Sequence, residues 1–307
     1  MISQRLAANA AALVAAVLFG SSVVAVRVAV QEVPPLSLAV LRFGQGGLLL
    51  VLLLLLGARG LLRVSWHDLP LLGLLGAILF TVFPVTFNAS LRLIEASRGA
   101  LILATIPLWS ALLARAARSE RLAPRQVVGV LLSLGGVGLA LTERGLESHG
   151  GGLETLAGDG LMLVTALCGA AYGVLAQRAF ARYSALTVTT YAMVFGTLLF
   201  LPAALAEGLI GELPRLDRPT VTLIMFLGVF GGALGFFLWT FALTRLTPTQ
   251  VAVYINLNPL VAILLAAALL AERLTIVFAA GFGAVLVGVL LVNWPKRREA
   301  APANRSR

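Results

Sequence analysis

The sequence predicts an all-α membrane protein of ten transmembrane helices, arranged as two inverted five-helix repeats with the N-terminus and C-terminus both cytoplasmic. Three observations carry that expectation. The chain holds ten apolar stretches that reach or approach spanning length, it repeats itself at an offset of 152 residues, and its basic residues gather on alternate connections. Composition agrees: 60% of the 307 residues are hydrophobic and 12% charged, against roughly 25% charged in a soluble domain.

A membrane helix needs ~20 apolar residues to cross ~30 Å of hydrocarbon. The first stretch, 7–29, is too long for a secretory signal and has nine more behind it. Its Gly20-Ser21-Ser22 reads as a small-residue packing face. The second, 36–56, carries Arg42, the only charge well inside a stretch. An arginine at mid-helix costs ~2.5–3.5 kcal/mol on insertion scales. Arg42 therefore either binds or gates an anionic group, or escapes the cost by snorkelling or pairing. It stands six residues past Leu36, ~9 Å deep at ~1.5 Å per residue.

The third stretch, 70–92, holds Asn88 and ends just before Glu95. The fourth, 97–117, contains Thr105-Ile106-Pro107 followed by Trp109, and the fifth covers 125–142. A polar, acidic, glycine-rich segment, 143–159, then joins the halves. The sixth, 160–180, holds Cys168, Tyr172 and Gln177; the seventh, 186–206, holds Tyr191; the eighth, 219–243, holds Trp239. The ninth, 248–270, carries Tyr254, Asn256, Asn258 and Pro259. The tenth, 274–294, ends before Lys296-Arg297-Arg298 in a basic tail, 295–307. Juxtamembrane cations of this kind suit an anionic cytoplasmic leaflet.

Orientation follows from the same walk, since basic loops stay cytoplasmic. With the N-terminus inside, inner segments hold 15 Lys and Arg and outer segments seven, while ten of the thirteen acids fall outside.

The repeat aligns residues 102–122 with 254–274 at 9 of 21 positions without a gap. The matches include Pro107 with Pro259 and Glu120-Arg121-Leu122 with Glu272-Arg273-Leu274. Gly76, Gly129 and Gly136 match Gly228, Gly281 and Gly288 at the same offset. Five helices per half is an odd number, so the copies enter the membrane from opposite sides. The expected units are 1–146 and 153–294. Inverted repeats recur in carriers because exchangeable halves give two mirror conformations.

Proline removes a donor and bends a helix, and backbone freed in this way must be satisfied within the membrane. Pro107 and Pro259 are therefore expected to kink or gate their helices. Asn256 and Asn258 point in different directions on an unbroken helix. One reading has one amide capping the broken turn and the other bonding a neighbouring helix, with Asn258 favoured as the structural member. The other has the amides facing a central cavity. Asn88 and Gln177 stand between helix–helix hydrogen bonding and ligand contact in the same way. Trp109, Tyr172, Trp239 and Tyr254 are candidates to line such a cavity. With Arg42, Asn88, Gln177 and Asn256 they form the expected substrate-binding set.

Other functions find little support in the residues. The net charge of +10 comes from arginines placed singly or in pairs at the ends of apolar runs. No basic, aromatic-interleaved face suited to nucleic acid results. Histidines 67 and 149 fall between apolar runs and the chain has one cysteine, so neither an enzyme's catalytic set nor a metal site is expected. No cofactor is expected either. No acid lies mid-stretch to relay protons.

These features are similar to the drug/metabolite transporter superfamily, specifically its EamA-type ten-helix carriers. The residues carrying the resemblance are Leu41-Arg42-Phe43, then Pro107, Glu120-Arg121-Leu122, Gly129 and Gly136, and in the second half Pro259, Glu272-Arg273-Leu274-Thr275, Gly281 and Gly288. The family commonly shows Trp-Gly in helix 1, where this chain has Phe19-Gly20; the equivalent place in helix 6, Gly169-Ala170-Ala171-Tyr172, also lacks the tryptophan. The resemblance implies a bacterial inner-membrane secondary transporter that exports a small polar metabolite, such as an amino acid, by alternating access. Uptake or exchange of a nucleoside, sugar or organic anion is the alternative. A lipid-handling or interaction protein of the membrane is the rival from another class. The partners expected are a small-molecule substrate, the lipid bilayer and, if the chain self-associates, a second copy in a homodimer.

Overall fold

A computed structural model describes residues 2–30, 32–57, 60, 63–94, 99, 102–117, 122–142, 152–213, 216–261, 264–265 and 276–294. Among them the chain is all-helical, with no strand. The main helices are α1 (Ile2–Ala29), α2 (Pro35–Gly57), α3 (starting at Leu69), α4 (Ile106–Ala116), α5 (Pro124–Thr142), α6 (Leu153–Phe180), α7 (Ala185–Glu207), α8 (starting at Arg218), α9 (starting at Pro248) and α10 (Ile276–Asn293), with short turns of helix at Trp66–Asp68 and Leu209–Glu212. Among the described residues six helices, α1, α2, α3, α6, α7 and α8, are long and apolar enough to cross a membrane; α4, α5 and α10 are shorter and apolar. Glu95, His149, the Glu120-Arg121 and Glu272-Arg273-Leu274 motifs and the basic tail lie outside the described residues.

Two helices change pitch midway. α3 is α-helical over Leu69–Gly76, a π-helix over Ala77–Val82, and α-helical again over Phe83–Leu93. α8 does the same, with its π segment at Leu227–Leu234 between Arg218–Phe226 and Gly235–Leu243. Gly76 and Gly228, the glycines matched at the 152-residue offset, stand at the front of these segments. Each is a crossing point. A Cβ on Gly76 would collide with the Ala192 carbonyl of α7, and one on Gly46 of α2 would lie 3.1 Å from the Gly228 carbonyl. The second helix of each half thus crosses the third helix of the other.

The other repeated glycines pair likewise. A Cβ on Gly129 would meet the Gly288 carbonyl at 2.8 Å, and one on Gly136 the Gly281 carbonyl at 2.7 Å. Gly129 therefore faces Gly288 while Gly136 faces Gly281, so α5 and α10 cross antiparallel with their backbones nearly touching, as small residues permit in bundles.

The prolines follow the breaks. Turn residues at 104–105 precede α4, with Pro107 in its first turn. α9 opens as Pro248–Ala252 under a capping box from Thr247 and Gln250, tightens into a 3-10 helix over Val253–Leu257, and resumes α-helical geometry at Asn258. α6 starts at Leu153, seven residues earlier than its apolar run at 160. Gly152 precedes it and Glu154 sits in its first turn, where the helix dipole favours a carboxylate.

Candidate functional site

α1, α2, α3, α4, α6, α8 and α9 surround a cavity of about 1010 Å³, counting the part open to solvent. Its wall is mostly aromatic and aliphatic: Phe19, Phe43, Phe83, Phe87, Phe236 and Trp239, with Val23, Val26, Leu38, Leu79, Leu103, Ile106 and Ile255. Phe236 packs against Phe19 and Phe80 at 4.8 Å and against Phe43 at 5.8 Å between ring centroids, and Phe19 against Trp239 at 6.1 Å. Edge-to-face and tilted contacts of this kind hold aromatic walls in place.

Four polar side chains besides the Trp239 indole interrupt the wall: Ser22, Arg42, Asn88 and Asn258. Ser22 spends its hydroxyl on the Leu18 carbonyl at 2.7 Å. Asn88 reaches the Pro35 carbonyl at 3.5 Å. Arg42 lies 4.9 Å over the Phe43 ring, a cation–π arrangement. Its Nη2 meets the Gly231 carbonyl only at 3.5 Å, and its Nε is buried without a hydrogen-bond partner. Among the described residues no carboxylate pairs with it. The Asn258 Oδ1 is likewise buried without a partner. A donor-rich cation and an acceptor, both unsatisfied, thus share one apolar cavity.

The cavity occupies one end of the bundle. On α1 the lining runs from Phe19 to Val26, and on α2 from Leu38 to Arg42 and Phe43, the halves nearest the α1–α2 turn. The opposite end is closed. Ala8, Ala12, Ala15 and Ala16 of α1 pack there with Ala176, Ala179, Leu243, Leu246 and Val251 in a continuous buried core. Polar bonds tie that end across the halves. Tyr254 donates to Asn9 Oδ1 at 2.8 Å, and Gln177 Nε2 to the Leu243 carbonyl at 3.0 Å. Asp68 accepts from Tyr183 at 2.6 Å and from Arg182 at 2.9 Å, linking the α2–α3 and α6–α7 connections.

Of the residues named from the sequence, Arg42, Asn88 and Trp239 line the cavity. The rest lie elsewhere. Trp109 donates to Thr105 at 3.1 Å and packs with Ile106, Ala166 and Ala170 between α4 and α6. Tyr172 is fully buried, 3.4 Å from the Thr240 hydroxyl. Gln177 and Tyr254 form the closed-end bonds above. Asn256 is fully buried and donates to Ser133 of α5 at 2.8 Å. The asparagines have exchanged the places expected of them: Asn256 bonds a neighbouring helix and Asn258 lines the cavity. Asn256 lies within the 3-10 turn and Asn258 is the first residue after it, so the two amides leave the helix on different faces.

Sequence reasoning passed over Gly231 and the phenylalanine wall. A Cβ on Gly231 would crowd Arg42 Nη2 at 3.2 Å and collide with Ser22. The Gly231-Gly232 doublet inside an apolar stretch was the available signal.

Comparison with known proteins bears on the fold and the family. A crystal structure of a protein 22% identical in sequence superposes with a TM-score of 0.76, covering 92% of this chain and 95% of that one; at this identity it speaks to the fold alone. An uncharacterized transporter of Archaeoglobus fulgidus is 27% identical over 277 residues, 89% of this chain and 94% of its own. A probable terminal-alkyne amino-acid exporter of Streptantibioticus cattleyicolor is 27% identical over 252 residues, 81% of this chain and 82% of its own. The profile of the EamA-like transporter family matches twice, at residues 6–142 and 156–294. With both halves matched, the chain belongs to the EamA-like transporter family: it is a multi-pass membrane transporter and not an enzyme.

Proposed function

We propose that the protein is a secondary transporter that exports a small amphipathic metabolite bearing a carboxylate, an amino acid or a close relative, by alternating access across a bacterial inner membrane. The observation that carries this reading is Arg42, a guanidinium without a counter-ion among the described residues, in a mostly apolar cavity. Arginine's planar fork suits a carboxylate, and the phenylalanine wall suits an apolar side chain. The terminal-alkyne amino-acid exporter among its relatives supports the same class. A sugar or nucleoside would need many more polar partners than the wall offers.

In this reading Arg42, Asn88, Trp239 and Asn258 contact substrate. Trp109, Tyr172, Gln177, Tyr254 and Asn256 hold the helices around them, and Pro107 and Pro259 mark bends. Ten spans, inverted units at 1–146 and 153–294, a tail at 295–307 and cytoplasmic termini complete it. The antiparallel glycine crossing of α5 with α10 supports the inversion. With the N-terminus inside, the α1–α2 end faces outward, so the cavity belongs to an outward-open state and the Asn9–Tyr254 and Asp68–Arg182 bonds seal the inner side. The substrate and the bilayer are its partners, with a homodimer as the assembly to examine.

Counterflow in proteoliposomes tests the reading. Vesicles preloaded with unlabelled amino acids, organic anions, sugars or nucleosides should transiently concentrate labelled carboxylates only, and Arg42→Ala should abolish that signal. Equal uptake of neutral sugars, unaffected by Arg42→Ala, would refute it.

A further inference from the structure

We infer that the transporter works as an exchanger: it crosses between its two states readily when a carboxylate is bound and slowly when empty. This rests on the reading that the cavity is the transport site, and it adds the mode of transport.

The argument begins with what faces Arg42. α2 offers it the Phe43 ring, α8 the Gly231 carbonyl at a long 3.5 Å, and α1 a serine already bonded to Leu18. No described residue gives it a negative charge. The Glu207 carboxylate is engaged by the Ser37 backbone N–H at 2.8 Å and hydroxyl at 3.2 Å, and Glu32 is exposed in the α1–α2 turn. Arginine stays protonated in proteins, so losing a proton cannot neutralise it.

While the cavity is open, water reaches the part of the Arg42 side chain that stays exposed, although its Nε is already buried. Alternating access requires the mouth to close before the other side opens, and closure leaves the cation among phenylalanines and aliphatic side chains, with only the uncharged Ser22, Asn88 and Asn258, besides the Trp239 indole, as polar neighbours. Placing an arginine in such surroundings carries a penalty equivalent to about 100-fold in rate. A bound carboxylate removes it, because the charge is neutralised and the unpartnered Nε gains an acceptor. The loaded protein therefore closes easily and the empty one does not. Each carboxylate carried one way must be answered by another carried back, and net flux without exchange is slow.

The test reads closure directly. In the full-length protein in liposomes, Cys168→Ala removes the native thiol, and cysteines introduced at exposed Glu32 and Leu156 carry a fluorophore pair across the α1–α2 end. Single-molecule energy transfer then counts opening and closing. Empty wild type should switch about 100-fold more slowly than Arg42→Gln or Arg42→Met; the methionine variant asks for no hydrogen-bond partner and guards against misfolding of the first. L-leucine, the probe, should speed the wild type and leave both variants unchanged. Equal rates in the empty proteins overturn the inference, whatever leucine does. Fast empty variants with no leucine effect and no labelled-leucine counterflow uphold the slow empty crossing that Arg42 imposes and exclude leucine as the cargo.

Discussion

Asn256 of α9 donates to Ser133 of α5 at 2.8 Å, fully inside the protein. The bond fastens the 3-10 turn to the peripheral α5–α10 pair. Two residues on, Asn258 opens onto the cavity with its Oδ1 unpartnered. Breaking a buried hydrogen bond costs ~1–3 kcal/mol. Asn256→Ala is therefore expected to lower thermal stability by about that much, and Asn258→Ala to lower transport with stability near wild type. Melting curves and counterflow on both variants check this; the reverse pattern would return Asn256 to the cavity.

Gly135 and Gly136 are neighbours on α5 with opposite surroundings. A Cβ on Gly136 meets the Gly281 carbonyl at 2.7 Å, whereas one on Gly135 has nothing within 4 Å. Gly136→Ala should destabilise by ~1–3 kcal/mol through overpacking. Gly135→Ala should be neutral or stabilise by up to ~1 kcal/mol, since alanine loses less backbone freedom in a helix. Comparable losses in the two variants would sink the close crossing of α5 and α10.

Asp68, in the turn before α3, is held below the usual carboxylate range, first by the Tyr183 hydrogen bond and then by Arg182. The Asp68 contact in turn holds the Tyr183 phenol above its usual value. The signs are opposite. A lowered carboxyl contributes stability above its unfolded pKa and loses it as pH falls through the folded value; a raised phenol contributes below its unfolded pKa and loses it as pH rises through its own. Wild-type melting temperature should exceed that of Asp68→Asn most near neutral pH, with the gap closing in acid and again in strong alkali. A gap independent of pH would mean the cluster contributes through shape alone.

Glu207, in the last turn of α7, caps the start of α2 through Ser37. α7 ends beside it at Gly208, whose φ of 110° is the left-handed turn that glycine tolerates. Glu207→Ala should cost about 1 kcal/mol, the usual worth of a helix cap, and Glu207→Gln less, because an amide oxygen still accepts. Equal losses measured by chemical denaturation would show that charge, rather than the acceptor, matters there.

Much of this was legible in the chain. Hydropathy runs mark where helices lie because the bilayer imposes length and apolarity on each segment separately. The repeat marked Gly76, Gly129 and Gly136 with their partners before any crossing was visible. Arg42 stood out because a lone charge in an apolar run has few places to go. These are local properties, and a sequence records them directly.

The use of each polar group was decided by tertiary structure. Whether Tyr254 meets solvent or Asn9, 245 positions away, depends on how α1 and α9 pack. Whether Asn256 or Asn258 looks into the cavity depends on a change of helical pitch fixed by the elements around it. Hydrogen-bond satisfaction is a property of pairs, and most partners here come from another helix. The sequence therefore determines which residues carry a polar need inside the membrane, and only the packed bundle determines which of those needs a neighbouring helix meets.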